Sequence, residues 1–401
     1  MDPLRNPYTP NAGAQPPAIL GRDDQLQTFA LLLARMAAGR TEQSVIITGL
    51  RGVGKTVLLG SFRQEALARN WVVVENEVSK HVDEDFRRDM VSDFRTALFE
   101  LSPKARWGDR LKRAASVLKS FSLQVDPSGS LTVGVDAAAI EGQADSGILL
   151  RDLSDLFVAV GEAAREERRG VVLLYDEVQF LTQHQLGALI AALHKTVQRG
   201  LPVTMVGAGL PQIAELAGDA KSYAERLFKF PRIGGLGSQD ARRALAEPAT
   251  GEGAVFSPDA LDRAVEVTEG YPYFIQELGY AVWGVAEGPT VTAADVEAAL
   301  PLYESKLDSS FFRVRLDRAT ELQRVYLRAM AELGPAPQKA ADVAALMDRS
   351  SPQVAPTRAE LIASGLLYTP EHGYAAFTVP HFDQFMKRAV PNLEVPPIRR
   401  R

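Results

Sequence analysis

The chain has 401 residues, 46% hydrophobic and 24% charged, with a formal net charge of −5. That length exceeds one ordinary domain, so two or three are expected, each able to bury a sizeable core. The negative balance argues against a protein that coats nucleic acid or an anionic membrane, and the absence of cysteine excludes disulfides, thiolate nucleophiles and cysteine–metal sites. No uncharged apolar run reaches the roughly 18 residues of a membrane span. The opening residues lack the apolar stretch of a signal peptide, so a cytoplasmic protein with no membrane partner is the expectation.

Residues 1–18 hold Pro3, Pro7, Pro10, Pro16 and Pro17 and read as an extended arm. Apolar periodicity predicts a helix over 25–38, and the short β-branched run 44–48 predicts a buried strand. A glycine loop follows, then a helix over 55–67, a strand at 72–74 and a helix over 85–101. Residues 102–147 read as an insertion. Within it, 121–125 and 131–135 alternate apolar and polar about Asp126-Pro127-Ser128-Gly129, which predicts a hairpin. An amphipathic helix (148–167), a strongly apolar strand (171–175), a helix (184–198) and a strand (203–206) complete an α/β order, with a parallel sheet and crossover helices. Helices are then expected at 239–247, 258–268, 273–285 and 293–300. The last part reads as helices 318–333, 340–348 and 353–364 followed by strands 366–369 and 374–379, the pattern of a winged helix.

The loop Gly49-Leu50-Arg51-Gly52-Val53-Gly54-Lys55-Thr56 fits G-x-x-x-x-G-K-[ST], with a strand before it and a helix after it. Its glycines let backbone N–H groups turn toward a phosphate, and the following helix presents its positive end to the same anion. Lys55 is expected to bridge the outer phosphates of ATP, and the Thr56 hydroxyl to ligate Mg²⁺. The apolar run Val171–Tyr175 delivers Asp176 and Glu177 at a strand end, where ligands bind in open α/β sheets. Asp176 is expected to hold Mg²⁺ through water, and Glu177 to act as general base on the attacking water.

These features resemble the initiator-type AAA+ ATPases related to origin-recognition proteins, and the neighbouring STAND-class ATPases. Ile19-Leu20-Gly21-Arg22-Asp23 is similar to the family's hydrophobic-Gly-Arg-acidic box by the adenine. Gly270-Tyr271-Pro272 resembles the G-x-P motif of the helical lid, whose proline approaches the nucleotide. The resemblance implies an arginine finger at Arg226, often acting on a neighbouring subunit, and hence an ATP-dependent homo-oligomer. It departs from the family at Gly207-Ala208-Gly209, where a polar residue usually ends the fourth strand. It departs again at Tyr271-Pro272-Tyr273, where a basic residue usually touches the γ-phosphate.

The reading is a P-loop NTPase with an arm (1–18), an α/β core (19–235, carrying the insertion 102–147), a helical lid (236–300) and a winged-helix region (301–401). The expectation is an ATP-hydrolysing switch. The winged helix implies double-stranded DNA as a partner, through Gln353, Thr357 and Arg358. Physical support for DNA is thin: 301–401 carries 14 basic and 11 acidic side chains, a net of +3, leaving −8 for the rest. A slowly hydrolysing scaffold that recruits protein partners and an ATP-gated transcription regulator stay open.

Overall fold

The computed structural model describes residues 1–79, 82–103, 107–124 and 137–396. Five parallel strands make the central sheet: β1 (Ser44–Thr48), β2 (Val72–Glu77), β3 (Val171–Asp176), β4 (Val203–Gly209) and β5 (Phe228–Lys229). Their spatial order is β2-β3-β4-β1-β5, so β4 separates the strand that leads into the glycine loop from the strand that ends in Asp176. β1 and β4 are buried along their whole length, because helices cover both faces of the sheet.

Strand alternation divides the interior in two. Val45 and Ile47 face one core with α1 (Asp23–Ala37) and α2 (Lys55–Ala68). Ile46 faces the other, with α3 (Asp83–Leu101), α4 (Asp109–Leu123), α5 (Leu149–Glu166) and α6 (Gln183–Gln198). The short helices α7 (Ile213–Ala220) and α8 (Ala224–Leu227) close that second side.

The expected strand at 121–125 is replaced by helix. Phe121, Ser122 and Leu123 are the last turn of α4. Leu111, Ala114, Ala115, Leu118 and Phe121 are buried at helical spacing against α3 and α5, and this 3.6-residue period overrides the short local alternation. The remainder of the expected hairpin, 125–135, lies outside the described residues. The described part of the segment read as an insertion therefore packs into the second core.

Beyond β5 come α9 (Ser238–Gly251), β6 (Val255–Phe256), α10 (Pro258–Thr268), α11 (Pro272–Val285), β7 (Thr290–Val291) and α12 (Ala293–Lys306). A π-helical turn (Leu307–Phe312) leads into α13 (Arg313–Leu316) and α14 (Glu321–Leu333). Then follow β8 (Gln338–Lys339), α15 (Ala340–Leu346), α16 (Ser351–Ala363), β9 (Leu367–Tyr368), β10 (Tyr374–Phe377) and α17 (Phe382–Ala389). β8, β10 and β9 form an antiparallel sheet. One hydrophobic core runs without interruption from α1 and α2 through α11 to Phe311, Leu366 and Phe385.

The N-terminal arm is docked onto this assembly. The Tyr8 ring lies over Gly279 of α11, where a Cβ would come within 2.5 Å of it, and the Tyr8 hydroxyl donates to the Leu245 carbonyl. Gln15 Nε2 donates to the Val57 carbonyl at 3.1 Å, so the arm reaches α2 as well.

Within the second core, Arg87 of α3 donates from both terminal nitrogens to Asp152 Oδ2 of α5 at 3.2 Å, and both side chains are buried. Asp152 Oδ1 accepts from the Ser146 amide (2.9 Å) and hydroxyl (2.7 Å), which pins the approach to α5. Removing one member of a buried, hydrogen-bonded ion pair leaves the other uncompensated. Asp152→Ala is expected to lower stability by about 3–5 kcal/mol in urea unfolding, while Asp83→Ala, which removes an exposed carboxylate at 2.7 Å from His184, should change it by less than about 1 kcal/mol.

Candidate nucleotide site

The glycine loop leaves β1 and turns back into α2. Gly52 (φ +82°) and Gly54 (φ +90°) occupy left-handed backbone that side chains rarely adopt. Gly49 is required for space instead, since a Cβ there would sit 2.6 Å from the Ile233 carbonyl oxygen. α2 begins at Lys55 with no side-chain cap, so its first N–H groups face the loop's concavity unspent by a cap, ready for an anion.

Lys55 is buried. Its ammonium donates to the Gly49 (3.0 Å) and Leu50 (2.8 Å) carbonyls. Burial lowers its pKa to about 8, opposed by the Glu177 and Asp176 carboxylates. The Thr56 hydroxyl donates to Asp176 Oδ2 at 2.5 Å, and Asp176 Oδ1 accepts from the Glu177 amide at 2.8 Å. Burial raises the Asp176 pKa, and the Thr56 bond opposes that rise. A hydroxyl and a carboxylate meeting at the edge of a phosphate-sized loop are the hard oxygen donors that Mg²⁺ takes, so the residues present fit a magnesium–nucleotide complex.

Glu177 follows in a left-handed conformation (φ +53°) that is strained for a residue with a side chain. The turn aims its carboxylate back at the loop, 3.7 Å from Arg51 Nη1. Gln179 holds it from the other side: Nε2 donates to Glu177 Oε2, and Oε1 accepts from the Leu210 amide at 3.0 Å. Gly209 makes room, since a Cβ there would lie 2.8 Å from Gln179 Oε1. Gln179 thus stands beside the glycines where the expected polar residue of the fourth strand is missing. The sequence did contain a signal for it, an amide two residues after Glu177 opposite a glycine-rich strand end.

A cavity of about 550 Å³ opens on the loop. It is lined by Lys55, Thr56 and Glu177, by Ile19 and Leu20, by Pro272 and Tyr273 of α11, and by the N-terminal residues around Gly13. Arg22 also lines it, but the guanidinium is used structurally: it donates to the Val53 (3.1 Å), Gly234 (2.6 Å) and Gly21 (3.0 Å) carbonyls, tying the loop to the segment after β5. Gly21 holds the preceding turn at φ +65°. Arg226 lies on α8, exposed and outside the cavity. Sequence reasoning missed the arm's share of the lining, and it missed Arg315 and Arg318, which enter from the C-terminal region.

Loop, paired acids and parallel sheet together define a P-loop ATPase. Residues 18–206 match the family model described as AAA ATPase domain, and residues 309–386 match a domain of unknown function, DUF8462. No curated protein matches the chain. Among solved structures, the chain is similar to a Walker-type ATPase of Pyrococcus abyssi, at 13% identity over 92% of this chain and 96% of that one, with a TM-score of 0.54. It also aligns with the Aeropyrum pernix Orc1 protein in complex with DNA (15% identity, 96% of both chains, TM-score 0.47). A third match is the Thermotoga maritima RuvB Holliday junction branch migration motor (14% identity, 94% and 96%, TM-score 0.47). The chain is therefore an ATPase carrying an AAA ATPase domain, and it binds nucleotide.

The Lys55 ammonium is lost as pH rises through about 8, and a bound phosphate raises that pKa, so binding takes up a proton above this point. Nucleotide affinity should be flat below about pH 7 and fall by up to about tenfold per unit above about pH 8. Titration with a fluorescent ADP analogue from about pH 6.5 to 9.5 checks this, and Lys55→Arg should flatten the dependence.

Proposed function

We propose that the chain is an ATP-driven switch that binds Mg²⁺-ATP between core and lid, hydrolyses it, and transmits the nucleotide state to its C-terminal region. The observation that carries this reading is that the phosphate loop is bonded from outside the core. The Tyr271 hydroxyl donates to the Arg51 carbonyl, and the Tyr273 amide donates to the Gly52 carbonyl at 3.2 Å. The Arg51 amide donates to the Thr378 carbonyl, just beyond β10, also at 3.2 Å. A change in the loop on phosphate loss is therefore felt by both regions.

The working divisions are an arm (1–18), a core (19–235), a lid (236–300) and a C-terminal region (301–401). The residue roles follow the geometry. The loop amides up to Thr56, apart from those of Gly49 and Arg51, which donate to the Gly209 and Thr378 carbonyls, hold the phosphates with the Lys55 ammonium. Thr56 and Asp176 hold Mg²⁺, which when bound neutralises charge on the phosphates. Glu177, fixed by Gln179, accepts a proton from the attacking water. With Arg22 committed to backbone carbonyls, the adenine side falls to Ile19, Leu20 and Pro272. Arg226 lies outside its own cavity, so a finger role requires a second copy of the chain.

For the C-terminal region, the three helices α14–α16 with the β9–β10 hairpin support the winged-helix reading. Its groups for base contact are engaged elsewhere. Gln353 closes a capping box with Ser350, Thr357 is buried, and Arg358 Nη2 donates to the Tyr374 carbonyl at 2.6 Å. These bonds favour docking on the chain's own core or on a protein partner over reading of DNA bases.

Glu177→Gln is expected to keep ATP affinity and slow turnover by about 10²–10⁴-fold, and intact turnover would remove Glu177 from the chemistry. Arg226→Ala should keep affinity and slow turnover by about 10³-fold if copies assemble around ATP. Added double-stranded DNA should leave turnover unchanged, whereas a salt-sensitive stimulation would restore DNA as the partner.

A further inference from the structure

The lid offers no basic side chain at Tyr271-Pro272-Tyr273, yet the cavity is strongly cationic. Five of its lining residues are basic (Arg22, Arg51, Lys55, Arg315, Arg318), and Glu177 is the single carboxylate among them. Arg22 is spent on three carbonyls, and Arg51 faces Glu177. Arg318 is exposed, whereas Arg315 is half-buried. It comes from α13, beyond the lid, and has no carboxylate partner among the described residues.

A continuous stack carries Arg315 to the loop. A Cβ on Gly52 would lie 3.2 Å from Tyr273 Cβ. The Tyr273 ring stacks on Phe311 with centroids 4.4 Å apart. The Arg315 guanidinium lies over the Phe311 ring at 4.1 Å from the centroid, with one N–H donated to the Phe311 carbonyl. The π-helical turn over Leu307–Phe312 supplies the local geometry in which Phe311 and Arg315 lie together against the cavity.

The geometry points to Arg315 as the residue that recognises the terminal phosphate of ATP, delivered to the site by the C-terminal region. This assignment rests on the ATP-site reading above. Glu177 marks the end of the cavity where water attacks, Arg51 lies beside Glu177, and Arg315 lines the same cavity with Arg51 as a like-charge neighbour. Burial and Arg51 together lower the Arg315 pKa to about 10, the mark of a cation held in place without a counter-ion. An oxyanion placed there relieves both costs, and a guanidinium binds phosphate oxygens in a fork that an ammonium cannot reproduce. Loss of that phosphate on hydrolysis would return Arg315 to its uncompensated state and loosen α13 from the loop. That assigns residues 309–386, a domain of unknown function, the role of reading the nucleotide.

The test uses the full chain with Mg²⁺ and fluorescent analogues of ATP and ADP. Arg315→Gln should weaken ATP by about tenfold or more while changing ADP by less than about twofold. Arg315→Lys, which keeps the charge and the packing stem, should recover part of the preference for ATP. Equal weakening of both nucleotides by Arg315→Gln, or no change in either, overturns the assignment and leaves Arg315 a packing residue on Phe311. Lys55→Ala separates the two levels: loss of both nucleotides upholds the site itself, and unaltered binding of both would sink the site and this assignment together.

Discussion

The backbone of Arg51, Gly52 and Val53 has to satisfy two demands at once. Its inward N–H groups must stay open for an anion, so its outward polar groups need partners that are not the anion. Those partners come from far along the chain: the Arg22 guanidinium on the Val53 carbonyl, Tyr271 on the Arg51 carbonyl, Tyr273 on the Gly52 carbonyl and Thr378 on the Arg51 amide. Each such bond contributes about 0.5–1.5 kcal/mol net, so α11 and the segment after β10 help to hold the loop's shape. The same economy makes the loop a place where phosphate occupancy and domain packing compete for one set of atoms.

Electrostatics adds a second coupling. The cavity lining gathers five basic side chains and one carboxylate, Glu177, with Asp176 bonded to Thr56 beside it. Lys55 answers its burial by donating to two loop carbonyls, while Arg51 leans on Glu177. A triphosphate supplies the missing negative charge. Before it arrives, like charges on Arg51 and Arg315 oppose the close approach of α13 to the loop. The aromatic stack of Tyr273 and Phe311 counters that repulsion, because burying two large rings and placing a guanidinium over one of them is favourable without any anion.

Much of the candidate site's layout was legible in the sequence, because phosphate and Mg²⁺ chemistry demand fixed residue types at fixed spacing. The strand Ser44–Thr48, the loop and Asp176-Glu177 stand where periodicity and motif put them. Long-range packing was not legible in the same way. Arg313-Val314-Arg315 looks like any solvated turn until Phe311 and Tyr273 are seen to stack beneath it. The proline-rich start reads as an extended arm, and nothing local reveals that Tyr8 fits over Gly279. Phe121, Ser122 and Leu123 alternate like a strand, yet Leu111, Ala114 and Leu118 upstream set a helical face that only α3 and α5 can bury. Gln179 lies between: its position was visible, but its pairing with Glu177 depends on how β4 ends.

The central claim is that nucleotide at the loop is sensed by the C-terminal region through shared backbone and side-chain contacts. Hydrogen exchange on the Glu177→Gln chain, compared without nucleotide, with ADP and with ATP, tests it most directly. The account predicts that ATP, beyond ADP, slows exchange in 307–318 and in 364–379 as well as in the loop. Protection confined to the loop and the ends of β1 and β3, with both C-terminal segments unchanged, would contradict it.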